Sequence, residues 1–352
     1  MTDRTLASVF ETQAHYCRMI GSPLYAHLLE RAAQDIDEDG PTRDVLRGHE
    51  DDDLRSMIPL RLMGAVHRAV LRDEAPELAA FYPSVGGRPE PEGAWLAFRD
   101  LLVRQRDRLN KDMDAPVQTN EVGRCAGLLG GFLVVAATTG LPLRVLEVGA
   151  SAGLNLSFDR YFYVSGDRSW GAGNSPVRFE EFISGDPFPW DVEASIAERG
   201  GCDASPLDPA SEEDALTLKS FVWPDQSERF ELLRVALDFA GKSRVSVEQA
   251  DAAEWTAREL AKPVSGVATV IFHSMMIFYL DEPTKEQMIT TIEQAGAHAS
   301  EAAPVAWLRM ELGGDEAAVH LTTWPGGEQR LIARAGYQGR PVRWLGTGGD
   351  GA

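Results

Sequence analysis

One short segment restricts the possible folds of this chain more than any other part of its sequence. Residues 144–155 read Arg-Val-Leu-Glu-Val-Gly-Ala-Ser-Ala-Gly-Leu-Asn, an apolar strand followed by a turn of small residues and the start of a helix. Gly149 permits the turn and Gly153 permits close contact between helix and strand, because a residue without Cβ adopts positive φ and lets backbones approach. The segment predicts an open α/β fold that binds a ligand at the end of its first strand.

The sequence from Leu141 onward supports the same fold. Short runs rich in Val, Ile and Leu alternate with amphipathic segments, a pattern typical of a parallel sheet covered by helices. Two of these segments, Gln226 to Ala240 and Thr284 to Ala297, are predicted crossover helices. We predict seven strands, namely Leu143 to Val148, Val192 to Glu198, Arg244 to Gln249, Val267 to His273, Pro304 to Leu312, Gln329 to Ala335 and Val342 to Leu345. The last two are joined only by Gly336 to Pro341, too short for a parallel crossover, so they should form an antiparallel hairpin.

The first third of the chain has a different pattern. Its apolar residues recur at helical spacing, which predicts a mostly helical region. We therefore expect an N-terminal helical domain over residues 1–140 and an α/β domain over residues 141–352. About fifty residues separate Gly149 from Asp203, where about twenty suffice in the simple nucleotide-binding fold, so residues 161–190 are predicted to be an insertion.

Charge and composition exclude several classes of function. The chain has 34 Lys and Arg residues against 54 Asp and Glu residues, a formal net charge of −20, which disfavours binding to a nucleic-acid backbone. Its three cysteines are far apart, as expected for a protein of the reducing cytoplasm. No stretch is apolar for the roughly 18 residues that a membrane span requires, and the seven scattered histidines predict no metal site.

The Glu-x-Gly-x-x-x-Gly pattern of residues 147–153 resembles the first motif of class I S-adenosylmethionine-dependent methyltransferases. It differs from the Gly-x-Gly-x-x-Gly fingerprint of dinucleotide-binding proteins. Position 151 is Ser, where many methyltransferases have a third glycine. The resemblance implies a Rossmann-like, seven-stranded methyltransferase sheet, with Glu147 accepting hydrogen bonds from the ammonium group of S-adenosylmethionine. The other cofactor-binding residues expected in this segment are Gly149, Ala150, Ser151, Gly153 and Asn155.

Downstream residues follow later strands, as this fold requires. Asp203 is expected to bind the ribose hydroxyls, and the segment containing Asp251 and Ala252 resembles the one that binds adenine, with Asp251 accepting from the exocyclic amine. His273 and Ser274 end the fourth strand, near the expected position of the methyl group. His273 is therefore the candidate general base, although a buried structural histidine is the competing interpretation.

Several stretches together resemble a bacterial family known as domain of unknown function 2332. They are Gly21-Ser-Pro-Leu-Tyr25, Phe81-Tyr-Pro-Ser-Val-Gly-Gly87, Val117-Gln-Thr-Asn-Glu-Val-Gly-Arg124, residues 147–156, Asp159-Arg-Tyr161, Trp223-Pro-Asp-Gln226 and His273-Ser274. The resemblance implies a helical N-terminal region joined to a methyltransferase-like core, without naming an activity. Asn120 and Arg124 precede the motif strand and are predicted to close the pocket; a helix cap and a solvated arginine are the alternatives.

The predicted function is methyl transfer to a small-molecule acceptor, with Tyr25, Arg124, Tyr163, Trp170 and Asn174 lining the acceptor side. Two alternatives remain. One is a protein that binds S-adenosylmethionine or a related nucleoside without catalysis. The other is a serine hydrolase, because Gly149-Ala-Ser-Ala-Gly153 also spells Gly-x-Ser-x-Gly, with Ser151 as nucleophile and His298 or His320 as its partner. The helical N-terminal third disfavours a hydrolase, which builds several strands before that motif.

Overall fold

The computed structural model describes residues 5–50, 52–185, 187–242 and 245–346. Its α-helices are α1 (Leu6–Met19), α2 (Pro23–Asp37), α3 (Pro41–Val45), α4 (Ile58–Leu71), α5 (Pro76–Ala79), α6 (Pro91–Arg104), α7 (Arg106–Asp112), α8 (Arg124–Thr139), α9 (Glu212–Ser220), α10 (Ser227–Ala240), α11 (Ala252–Leu260) and α12 (Glu282–Ala297). Its strands are β1 (Leu143–Val148), β2 (Phe162–Ser165), β3 (Arg168–Gly171), β4 (Arg178–Glu180), β5 (Ile183–Gly185), β6 (Ile196–Asp203), β7 (Val247–Gln249), β8 (Ala268–Ser274), β9 (Val305–Leu312), β10 (Ala317–Trp324), β11 (Glu328–Ala335) and β12 (Val342–Trp344).

The chain divides into two compact units. The first comprises Met1–Thr119 and Glu212–Arg234, and the second comprises Asn120–Ser211 and Val235–Ala352. The first unit is helical, which confirms the prediction of N-terminal helices. Its helices α2, α3, α5 and α6 each begin with proline, which lacks the N–H that would be unsatisfied at this position. None of the helices in the described ranges has the length and apolarity needed to cross a bilayer.

The second unit is built on a large sheet. Over the described residues the sheet has nine strands in the order β5-β12-β11-β10-β9-β8-β1-β6-β7. Strands β7, β6, β1, β8 and β9 pair in parallel in that order, β9 to β12 form an antiparallel meander, and β5 pairs in parallel with β12. The α/β fold with a mostly parallel sheet is thus confirmed, as is the antiparallel pairing of the last two strands.

The predicted number of seven strands is wrong. Strand β10 was missed because Ala317–Trp324 mixes alanine, threonine and histidine with few large apolar side chains, and β5 is only three residues long. The predicted second strand, Val192 to Glu198, is displaced, because β6 runs from Ile196 through a pair of glycines to Asp203. A Cβ on Gly201 would lie 2.7 Å from that of Ala150, so the glycine lets the loop after β1 pack against β6. Arg244, the first residue of the predicted third strand, lies outside the described residues.

Helices cover both faces of the large sheet. Helix α8 packs on one face, where a Cβ on Gly131 would lie 2.4 Å from Leu308 Cδ1, so glycine allows helix and sheet to approach closely. Helices α11 and α12 cover the other face, where Met288 and Ile292 pack with Leu146 and Val148. We call these the α8 face and the α12 face. The predicted insertion contains a separate three-stranded sheet in the order β3-β2-β4.

Candidate functional site

The parallel part of the sheet defines where a ligand site is expected. Numbered in chain order, its five strands have the order 3-2-1-4-5, and the order reverses between β1 and β8. Open α/β sheets bind ligands at the carboxyl ends of the strands beside such a reversal. The predicted site residues that follow β1 and end β8 therefore lie where this fold places ligands.

The loop after β1 is held by backbone hydrogen bonds. The N–H groups of Gly149 and Ala150 both donate to the Cys202 carbonyl oxygen at 2.9 Å, and Gly153 N–H donates to the Ala150 carbonyl oxygen at 2.7 Å. Gly149 and Gly153 both have φ of +73°, which the sequence predicted for a glycine turn. Ser151 has φ of +52°, an uncommon value for a residue with a side chain.

Two predicted ligand-binding side chains support the same loop. Asn120 Oδ1 accepts from the N–H groups of Ala152 (3.2 Å) and Leu154 (2.9 Å). Asp203, at the end of β6, accepts from Ser151 N–H through Oδ2 and from Ser205 N–H through Oδ1, both at 2.9 Å. The two side chains thus fix the loop, and their predicted contacts with a ligand stay predictions.

Glu147 is the buried acid of this site. It is 1% exposed on β1, and its Oε1 accepts from Asn155 Nδ2 at 3.3 Å, while Oε2 is buried and has no hydrogen-bond partner among the residues that the structure describes. Asn155 in turn accepts from the Cys125 thiol at 3.2 Å through Oδ1. Burial raises the pKa of Glu147 well above its usual value, and the hydrogen bond from Asn155 opposes that rise.

Arg124 begins α8 and connects three parts of the second unit. Its Nη1 donates to the Ser274 carbonyl oxygen at 3.2 Å, at the end of β8, and its Nε donates to the Tyr337 carbonyl oxygen at 3.3 Å. Its positive charge also lowers the pKa of Glu147, although less than burial raises it. Arg124 therefore links the ends of β8 and β11 to the helix that covers Glu147.

Asp251 and Ala252 lie at the start of α11. Asp251 is exposed, and its Oδ1 caps the helix by accepting from the N–H groups of Ala253 (2.8 Å) and Glu254 (3.0 Å). Strand β7 precedes this cap and lies beside β6 at the same carboxyl edge as Asp203. The predicted contact with adenine stays a prediction.

His273 lies on β8 with a partner that the sequence did not indicate. Its Nδ1 lies 2.6 Å from Glu311 Oε1 on β9, its side chain is fully buried, and its Nε2 has no hydrogen-bond partner within residues 5–50, 52–185, 187–242 and 245–346. The N–H of Met276 also donates to Glu311 Oε1, at 3.3 Å. In the sequence, Glu311 is visible only as a glutamate near the carboxyl end of a predicted strand. That position does not reveal that it lies beside His273.

Glu147 and His273 point to opposite faces of the sheet. Glu147 lies between Leu146 and Val148, which pack on α12, so its own side chain points to the α8 face. Its partner in register, Phe272, contacts Phe132 of α8 with ring centroids 5.1 Å apart. His273 follows Phe272 and therefore points to the α12 face, where its ring centroid lies 5.9 Å from that of Trp307. A molecule that touches both side chains must lie across the carboxyl edge.

The residues predicted for the acceptor side are dispersed. Tyr163 is fully buried in the small sheet, where its ring stacks on Phe179, and Trp170 donates its indole N–H to the Val192 carbonyl oxygen at 2.8 Å. Asn174 is exposed between β3 and β4. Tyr25 is buried in the helical unit, where its hydroxyl donates to the Met63 carbonyl oxygen at 3.3 Å.

The histidines proposed as partners of Ser151 lie elsewhere in the second unit. His298 caps the C-terminus of α12 and lines a cavity of about 510 Å³ with Arg144, Thr269 and Val305, at the amino ends of the strands. His320 lies in the middle of β10, three strands from β1. The carboxyl edge that carries Ser151 thus contains neither histidine.

Comparison with known proteins identifies the family. Residues 7–344 match the family described as "Uncharacterized protein conserved in bacteria (DUF2332)". No curated protein matches the chain. Since the match spans both units and nearly the whole sequence, the chain belongs to this bacterial family.

Proposed function

We propose that the chain binds S-adenosylmethionine across the carboxyl edge of β1 and transfers its methyl group to a small molecule. One observation carries the proposal. Glu147 is a buried carboxyl group beside the reversal of strand order, and one of its oxygens has no hydrogen-bond partner among the described residues. In its ionised form such a group requires a positively charged hydrogen-bond donor, and the ammonium group of the ligand supplies one.

The hydrogen bonds of the loop favour a ligand without phosphate. A phosphate-binding turn directs several backbone N–H groups at its ligand. Here the N–H groups of Gly149, Ala150, Ser151 and Ala152 donate to protein acceptors. Glu147 adds a carboxyl group that would repel phosphate when ionised. A ligand that carries a sulfonium and an ammonium group but no phosphate fits this surrounding better than a dinucleotide.

Asp203 is proposed to bind the ribose while it supports the loop. A carboxylate oxygen can accept more than one hydrogen bond, so a bond to a backbone N–H does not prevent the same oxygen from accepting from a ribose hydroxyl. Asp251 uses Oδ1 as a helix cap, and its second oxygen is proposed to accept from the adenine amine. Ala252 follows it at the start of α11.

The chemistry that the ligand supplies is an electrophilic methyl group on a sulfonium. The residues of the chain contribute position: Glu147 fixes the amino end, and Asp203 and Asp251 fix the nucleoside. Arg124 and Asn120 hold α8 and the loop after β1 in place beside these residues. Correct orientation of reacting groups is a large part of the rate enhancement in such transfers.

Calorimetric titration of the purified full chain with S-adenosylmethionine and with S-adenosylhomocysteine tests this proposal. We expect micromolar binding by the wild type. Glu147→Gln keeps the shape of the side chain but removes its charge, so it should cost about 2 kcal/mol or more, which weakens binding roughly 30-fold.

Glu316→Gln is the matched control. Glu316 lies near the start of β10 and forms an exposed ion pair with Arg343 at 3.2 Å, a kind of contact that contributes little. Its substitution should leave the affinity unchanged within twofold. Absence of binding to the wild type, or equal affinities of wild type and Glu147→Gln, would refute the proposal.

A further inference from the structure

The pairing of His273 with Glu311 determines which ring nitrogen can accept a proton. An ionised carboxylate only accepts hydrogen bonds, so with Glu311 in its ionised form the 2.6 Å contact between Glu311 Oε1 and His273 Nδ1 places a proton on Nδ1. In the neutral ring the lone pair then lies on Nε2. The carboxylate also fixes the ring orientation, because it is itself held by the N–H of Met276.

Neighbouring side chains on the α12 face add unused polar groups. His273 is in register with Arg309, and Trp307 is in register with Thr322. The Arg309 guanidinium lies 4.0 Å from the centroid of the Trp307 ring. Five residues of this face, Glu311 among them, each have a buried polar atom without a hydrogen-bond partner in the part of the chain that the structure describes: His273 Nε2, Trp307 Nε1, Arg309 Nη1, Glu311 Oε2 and Thr322 Oγ1.

Such a concentration of unpaired groups differs from an ordinary sheet interior. Most buried polar atoms in folded proteins have a partner, because each one without a partner costs about 1 to 3 kcal/mol. The donors on Trp307 and Arg309 and the acceptor on His273 lie on neighbouring strands of the same face, and together they match a small molecule with polar groups of both kinds. The alternative interpretation of His273, as a hydrogen-bonded structural histidine, explains the contact of Nδ1 with Glu311 but does not explain Nε2.

We propose that Glu311 is a positioning residue that holds His273 in the Nδ1–H tautomer, so that Nε2 accepts the proton of a methyl acceptor bound on the α12 face. The acceptor is a small molecule with a hydroxyl or amino group to be methylated and a second polar group that accepts from the Trp307 indole N–H. This inference rests on the proposed function, since it assigns the acceptor side of the same site.

The proton and electron balance of the step is simple. His273 Nε2 takes the acceptor's proton while the acceptor oxygen or nitrogen forms a bond to the methyl carbon. The bond between carbon and sulfur breaks and leaves its electron pair on sulfur, which removes the sulfonium charge. The imidazolium that forms is neutralised by Glu311 across the existing 2.6 Å contact.

The segment that follows β8 is bound to the same carboxylate as the ring. His273 is fully buried, and the chain turns just after it at Met275, whose φ of +51° is unusual for a residue with a long side chain. Glu311 binds this segment through Met276 N–H and binds the histidine through the same oxygen. Glu311 therefore joins the backbone after β8 to the ring of His273.

The test is ¹⁵N NMR of histidine side chains in the full chain near pH 9, where imidazoles are normally neutral. His273 is assigned among the seven histidines by the signals lost in His273→Gln. We expect a protonated Nδ1 and an unprotonated Nε2 in the wild type. Glu311→Ala should shift the ring toward the Nε2–H tautomer, and Glu316→Ala should leave it unchanged.

An Nε2–H tautomer in the wild type would overturn the inference, even if S-adenosylmethionine binds. The same holds if Glu311→Ala folds, as judged by circular dichroism, and keeps the Nδ1–H tautomer. Titration of Glu311→Gln with S-adenosylmethionine separates the two proposals, because its affinity should equal that of the wild type within twofold. A failure of all variants to bind would refute the cofactor proposal and leave the tautomer result to stand by itself.

Discussion

Two acids on adjacent regions of the sheet, the buried Glu147 and the partly buried Glu311, have different surroundings. Glu147, on the α8 face, receives a hydrogen bond from the neutral amide of Asn155 at 3.3 Å, and its other oxygen has no partner among the described residues. Glu311, on the α12 face, lies 2.6 Å from the imidazole of His273 and also binds a backbone N–H. The first acid, when ionised, still needs a cation, whereas the second already has a basic partner and determines its orientation.

The difference suggests that the two faces of the sheet have different roles, ligand binding on the α8 face and proton transfer on the α12 face. A carboxyl group in contact with only a neutral amide suits the charged end of a ligand that arrives from outside. A carboxylate in contact with histidine suits proton transfer, because it stabilises the imidazolium that forms. The carboxyl edge between β1 and β8 is where one ligand can reach both faces.

Loss of the hydrogen bonds between Asn120 and the loop after β1 should have the largest effect on stability. Asn120→Ala leaves the buried N–H groups of Ala152 and Leu154 without their acceptor. At about 1 to 3 kcal/mol for each of the two groups, the free energy of unfolding should fall by about 2 to 6 kcal/mol. Urea denaturation measures the loss.

Asn120→Asp is the control for that variant, since it keeps an acceptor oxygen in the same position. It should lose less than half as much stability as Asn120→Ala. Equal losses for the two variants would mean that the side chain does not support the loop through its oxygen, and the contrast between the faces would be weakened.

The next effect concerns the glycine of the loop. Gly153→Ala places a Cβ 2.9 Å from Val247 Cγ2 at a φ of +73°, so we expect destabilisation by about 2 to 3 kcal/mol. Gly140→Ala has a similar φ of +63° but no atom within 4 Å of the added Cβ, so it should cost only about 1 kcal/mol. Thermal denaturation of both variants separates the cost of crowding from the cost of backbone strain. Equal losses of stability would mean that close packing at Gly153 contributes nothing to the effect.

The smallest expected effect is a pH dependence of the free energy of unfolding that arises from Glu147 on the α8 face. The pKa of Glu147 is raised well above its ordinary value of 4.5 by burial. Between these two values the folded chain keeps a proton that the unfolded chain has lost, so the free energy of unfolding falls as the pH rises. Glu147→Gln does not titrate at this position and should gain stability relative to the wild type above pH 4.5.

Denaturation of both proteins from pH 4 to pH 8 checks the sign of this dependence. The difference should be near zero at pH 4 and should grow as the pH rises above 4.5. A difference that is independent of pH would mean that the pKa of Glu147 is the same in the folded and the unfolded chain, so that burial does not disfavour its charge, and its need for a cationic partner would lose its basis.

The sequence predicted the backbone around the site better than it predicted the contacts of the side chains. Strand β1 has the predicted bounds, and α10 and α12 begin within two residues of the prediction, because a continuous apolar run and helical periodicity are local signals. The glycine turn followed from the steric freedom of Gly149 and Gly153. Strand β10 was missed because its small and polar residues carry little of that periodicity.

The contacts that define the site depend on positions far apart in the chain. Glu311 meets His273 across 38 residues and only through the parallel register of β8 and β9. Asn120 and Asp203 were predicted to lie near the ligand, but whether an oxygen binds a ligand or a backbone N–H depends on loop geometry such as the positive φ of Ser151. The face to which Glu147 or His273 points depends on which helix covers that side, which periodicity alone does not reveal.

The central claim is that Glu147 binds the ammonium group of S-adenosylmethionine, and a double-mutant cycle on the ligand and the protein tests it directly. Wild type and Glu147→Gln are each titrated calorimetrically with S-adenosylhomocysteine and with its analogue in which hydrogen replaces the α-amino group. We predict a coupling free energy of about 2 kcal/mol, because loss of either partner removes the same charged hydrogen bond. Equal losses on removal of the amino group in both proteins, and hence a coupling near zero, would contradict the assignment.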